Sequence, residues 1–128
     1  MDPYGYGQYQ AVGVSTRISN ASPVQLVLVL TDGLLDELSR VRAHIQARRY
    51  EAKGLGINKC IDLLTALSSS LDFDQGGQPV ADLARLYDYM VLRLNEAGIS
   101  MDAGLVDEVV ALLGTLRQAW QTLEARAG

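Results

Sequence analysis

Lys59 and Asp62 stand three residues apart, close enough on one helix to exchange a proton, and this is the kind of pair that general acid–base catalysis needs. Other chemistry has few carriers. The single histidine, His44, and the single cysteine, Cys60, fall on different expected helices, and no third group is indicated to make a nucleophilic set with them. One Cys and one His cannot complete a tetrahedral zinc site, and one Cys cannot close an intrachain disulfide, so the chain reads as metal-free, cofactor-free and suited to a reducing compartment. Gly54-Leu55-Gly56-Ile57-Asn58-Lys59 superficially resembles a phosphate loop but neither follows a strand nor ends in Gly-Lys-Ser/Thr. Asp72, Asp74 and Gly77 match three positions of a calcium loop, yet Gly76 and Leu83 stand where further oxygen ligands belong. The residue types therefore point to binding rather than catalysis.

Charge narrows the partners. With 11 Lys+Arg against 15 Asp+Glu the formal net charge is −4, which disfavours a phosphate backbone as partner. Six of the eleven cations, Arg40, Arg42, Arg48, Arg49, Lys53 and Lys59, nonetheless fall within one short stretch, with Glu51 the only acid between them. Cations at the end of a helix complement its dipole, and the alternative is a docking site for an acidic partner. The densest apolar run, Leu26 to Leu30, is far too short for a signal peptide or a membrane span, so no insertion into a membrane is expected.

Apolar spacing supplies the elements that would position these groups. Ser22-Pro23-Val24-Gln25 carries a capping box with proline at the first helical position. Val27, Leu30, Leu34, Leu38, Val41 and Ile45 then recur in steps of three and four, predicting a helix to about residue 48. Ile57, Ile61, Leu64, Leu67 and Leu71 keep the period through a second helix from Tyr50, with soft first turns at Gly54 and Gly56. Residues 72–79 read as a loop, and Val80, Leu83, Tyr87, Met90 and Leu94 as a third helix that stops at Gly98. Asp102 or Ser100 can cap a fourth helix, striped by Val106, Val109, Leu113, Leu116, Trp120 and Leu123. Short connections make neighbours antiparallel, so the expected architecture is all-α, an antiparallel four-helix bundle over residues 21–128.

Residues 1–20 lie outside this pattern as an N-terminal arm. Tyr4, Tyr6 and Tyr9 sit there among glycines and glutamines, a composition that is both flexible and adhesive.

Several segments, taken in order and spacing, resemble the FliS family, the flagellin-specific export chaperones of bacterial flagella. They are Ala21-Ser22-Pro23 leading into Gln25-Leu26-Val27; Tyr50-Glu51-Ala52-Lys53-Gly54 with Asn58-Lys59; Leu86-Tyr87-Asp88-Tyr89-Met90 followed by Arg93-Leu94; and Ala119-Trp120. Tyr6 and Tyr9 are similar to the family's N-terminal tyrosine segment, while Cys60, Pro79 and Asp82 depart from its usual residues. The resemblance implies a protein of the bacterial cytosol that binds the disordered C-terminal segment of flagellin. It also implies prevention of premature polymerisation, and delivery to a membrane component of the type III flagellar export gate, without enzymatic activity.

Physical reasoning then assigns a groove. An amphipathic client segment can lie on uncovered helical surface, and the residues expected to form it are Ile57, Ile61, Leu64, Leu83, Tyr87 and Met90, with Lys59 and Asp62 on the rim and Tyr6 and Tyr9 as a displaceable cap. Charge reversal at Lys59 is expected to weaken binding without lowering the melting temperature. Two alternatives stay open. One is a helical adaptor docking an acidic partner through Arg40 to Lys53, marked by steep salt dependence; the other is a small enzyme using Lys59 and Asp62.

Overall fold

Ser22 fixes the start of the first helix. In the computed structural model, which describes residues 22–71 and 73–127, the Ser22 Oγ accepts from the Gln25 backbone N–H at 3.1 Å and the Gln25 Oε1 accepts from the Ser22 N–H at 3.0 Å. Each bond satisfies a donor that a helix start leaves without a partner. The helices are α1 (Pro23–Gln46), α2 (Tyr50–Ser69), α3 (Phe73–Ser100) and α4 (Ala103–Ala127). Each packs on the next and α4 packs back on α1, which makes an antiparallel four-helix bundle; no strand occurs among the described residues. The stripes read from sequence meet at its centre, where Leu34, Leu38 and Val41 are sealed against Cys60, Leu64, Leu67, Tyr87, Met90, Leu94, Val106, Val109 and Leu113.

Two corners close with a left-handed residue that is not glycine. After α1, the Arg49 N–H donates to His44 O and the Arg48 N–H to Ile45 O, with Arg48 at φ 59°. After α3, the Asp102 N–H donates to Ala97 O, with Met101 at φ 55°. Both arrangements are of the Schellman type, in which glycine is the usual left-handed residue because a Cβ is strained there. Arg48→Gly is therefore expected to stabilise the fold by about 1 kcal/mol, and thermal melts of the two proteins should show the glycine variant melting higher.

Gly98 does not stop α3, contrary to the sequence expectation. The helix runs two residues further, with Gly98 inside it at a close approach to α2: a Cβ there would lie 2.7 Å from the Ile57 Cδ1. Gly56 makes the same kind of room on the other side of α2, where a Cβ would meet the Val41 Cγ2 at 2.7 Å and the Glu37 Oε2 at 3.2 Å. The stretch expected as a loop over 72–79 is instead largely helical from Phe73, broken at Gly77 with φ 60° and ψ −141°. Pro79 follows that break, in a first turn where its missing N–H costs nothing. Of the two candidate caps for α4, Asp102 serves: its Oδ1 accepts from the Gly104 N–H at 2.8 Å, whereas the Ser100 hydroxyl donates back to Glu96 O.

Candidate binding furrow between α2 and α3

The four seams of the bundle are held differently. Arg42 clasps Asp107 at 2.7 and 3.0 Å, and Arg117 clasps Asp32 at 2.5 and 3.3 Å, so α1 and α4 carry two forked ion pairs of opposite polarity. Across α3 and α4, Glu108 accepts from Arg93 at 2.8 Å and from the Tyr89 hydroxyl, with the Arg93 guanidinium 5.7 Å from the Tyr89 ring centroid. Across α1 and α2, the nearly buried Glu37 accepts from Arg40 at 2.8 Å and faces the Lys59 Nζ at 3.7 Å. Between α2 and α3 no ion pair occurs among the described residues; the polar link is Lys53, whose Nζ donates to Gly98 O at 2.8 Å.

These clasps make stability acid-sensitive. The Arg42 guanidinium holds the Asp107 carboxyl below its ordinary value of 3.8, and the Tyr89 hydroxyl followed by Arg93 hold Glu108 below 4.5. A carboxyl depressed in the folded state stabilises above its ordinary value and loses that contribution as pH falls through the depressed one. The melting temperature should thus be level from neutral pH to about 5 and fall below it, and Asp107→Asn should flatten part of that acid limb. Thermal melts across that range measure both.

The unclasped seam contains a furrow of about 400 Å³, walled by Thr65, Ser68, Ala84, Asp88 and Val91 and floored by Leu64 and Tyr87. Farther along α3, Leu92 and Ile99 stand 68% and 81% exposed, seven residues apart and so on one face. Tyr50 and Leu55 on α2 are also largely exposed. Sequence reading missed these four, although Leu92 and Ile99 carry a usable mark: they are large apolar residues off the stripe that the core requires.

Of the residues expected in the groove, Ile57, Leu64, Tyr87 and Met90 are buried in the core, and only Leu64 and Tyr87 also reach the furrow. Burial pushes the Tyr87 phenol pKa up, with Trp120 opposing. Ile61 and Leu83 are half-buried, and Lys59 and Asp62 are exposed. Lys59 reaches toward α1, away from the furrow, so reversing its charge would set a like charge against Glu37 and lower stability, unlike the sequence expectation. The Lys59 ammonium faces Glu37 of α1 rather than Asp62, so the pair expected from spacing is not formed. Tyr6 and Tyr9 lie outside the described residues.

The basic stretch is largely consumed internally. Arg40 and Lys59 serve Glu37, Arg42 serves Asp107, and Lys53 serves a backbone carbonyl. Arg49 Nε donates to His44 Nδ1 at 3.0 Å. Cys60 is sealed, and burial pushes its thiol up to about 12, which leaves it a small apolar filler rather than a nucleophile. Among the described residues no helix is long and apolar enough to cross a membrane, and no three His, Cys, Asp or Glu side chains gather as a metal site.

An antiparallel helical bundle with an unclasped seam, a furrow of mixed polarity in it and an exposed leucine and isoleucine on the outer side of α3 defines an all-α binding scaffold. The chain belongs to the FliS family: the profile described as flagellar protein FliS matches residues 5–127. It is 38% identical over 113 residues to the flagellar secretion chaperone FliSB of Pseudomonas aeruginosa, covering 88% of this chain and 90% of that protein. It is 35% identical over 124 residues to the flagellar secretion chaperone FliS of Salmonella typhimurium, covering 96% and 92%. The Escherichia coli FliS is 35% identical over 118 residues, covering 91% and 87%.

Proposed function

We propose that this chain is a cytosolic flagellar secretion chaperone that binds the disordered C-terminal segment of flagellin, keeps it from polymerising early and presents it to a membrane component of the export gate. Family membership supports the chaperone role, and one observation carries the binding mode. Val91 of α3 lines the α2–α3 furrow, and on the outer side of the same helix Leu92 and Ile99 stand exposed, so α3 offers apolar surface that no partner helix of the bundle covers. An amphipathic segment gains by burying its own stripe there, and the cost of ordering a disordered guest keeps the complex reversible. Of the residues expected from sequence, Ile61, Leu64 and Tyr87 fit this seam best, and the work is binding and release, without catalysis.

The arm carrying Tyr6 and Tyr9 is proposed to compete with the client. Beside Pro23, the residues Val24, Val27, Leu71, Val80 and Trp120 surround an apolar hollow of about 270 Å³ suited to an aromatic ring. Hydrogen exchange with and without a peptide of the last forty or so flagellin residues tests the reading. Protection should rise along α2 and α3; a rise confined to the α1–α4 seam would refute it. Deleting residues 1–10 should alter association or dissociation rates, and unchanged rates would remove the arm from the mechanism.

A further inference from the structure

The α2–α3 seam is charged unequally along its length, and the furrow occupies only the part nearer Ser69. At one end, α2 begins and α3 finishes, and there Arg48, Arg49 and Lys53 lie within two helical turns. Among the described residues none of the three meets a carboxylate: Arg49 is bonded to His44, and Lys53 to Gly98 O beside the exposed Ile99. The chain's other cations between Arg40 and Arg117 all face an acid, Arg40 and Lys59 sharing Glu37. Toward the other end Asp88 stands exposed on the furrow wall, without a cation partner among the described residues. From Ser69 to Lys53 the seam runs sixteen residues of α2, roughly 24 Å, which is the length of a short client helix.

A helix laid in such a field is not indifferent to direction. Its N-terminus carries about half a positive charge and its C-terminus about half a negative one, and a free chain end adds a full carboxylate to the latter. Resting on the proposed function, we infer that Arg48, Arg49 and Lys53 form a subsite for the terminal α-carboxylate of the client. The guest therefore runs parallel to α3, its N-terminal side near Asp88 and its chain end at the α1–α2 corner. The occupant is an apolar helical segment that ends a polypeptide, not one from the middle of a chain. Arg48 and Arg49 supply planar donor forks suited to a carboxylate, and their exposure makes the attraction sensitive to salt.

The test uses the full chain and synthetic peptides of the last forty or so flagellin residues, made as free acid and as C-terminal amide. The acid should bind about fivefold more tightly than the amide at low salt. That ratio should shrink toward one in 1 M salt and in the Arg48→Gln, Arg49→Gln double variant, whose fold is checked by circular dichroism. A nitroxide on the peptide's C-terminal end should broaden amide resonances at Arg48 to Lys53, and one on its N-terminal end those near Ser69. Equal affinity of acid and amide, or the reverse pattern of broadening, would overturn the inference while leaving the chaperone reading intact. Failure of both peptides to bind would instead remove the reading on which it rests.

Discussion

Gly56→Val should lower the melting temperature by roughly 10 °C, whereas Gly54→Ala, two residues away on the same helix, should raise it by a few degrees. A Cβ at Gly56 would press to 2.7 Å on the Val41 Cγ2 and to 3.2 Å on the Glu37 Oε2. Val41 is fully buried and stiff at χ1, so it cannot swing aside, and forcing extra methyls into such a contact costs about 1 to 3 kcal/mol. At Gly54 an added Cβ meets nothing within 4 Å, so only the gain in helix propensity remains, about 1 kcal/mol. Paired thermal or denaturant melts settle the matter by sign alone. If both variants moved the same way, the close approach of α1 and α2 would not be what Gly56 provides.

The second large effect concerns binding. Leu92→Gln combined with Ile99→Gln should weaken association with the flagellin peptide by about a hundredfold, because each side chain stands to bury most of its apolar area against the client. At 68% and 81% exposure they contribute little to the bundle itself, so the melting temperature should move by no more than a degree or two. Leu123, 47% exposed near the end of α4, supplies the control: Leu123→Gln should leave affinity unchanged. Equal loss at Leu123 would mean the client does not single out the exposed side of α3.

What the sequence revealed, and what it hid, follows from what periodicity measures. Steps of three and four at Val106, Val109 and Leu113 located a face that is fully buried, and the Ser22–Gln25 box located a helix start to the residue. Those signals are local, and local chemistry decides them. The ends were harder. Gly98 reads as a stop until Ile57 of α2 is known to lean on it, and nothing in Arg48 or Met101 announces a left-handed turn normally given to glycine. Hardest was the division between core and client surface. An apolar stripe shows which way a helix faces but not whether another helix already covers it. Ile57 and Met90 consequently looked like groove residues and are core, while Leu92 and Ile99 lay outside the stripe and are exposed. Lys59 was hidden by the same limit, since its partner Glu37 is distant in sequence and meets it only once α1 and α2 have packed.

Calorimetric titration of the full chain with the C-terminal forty or so residues of the flagellin encoded in the same genome bears most directly on the central claim, that uncovered apolar helical surface receives an unfolded guest. Repeated over several temperatures, it should give saturable binding with a clearly negative heat-capacity change, largely preserved at 1 M salt. Binding absent, or present with a heat-capacity change near zero and abolished by salt, would contradict it.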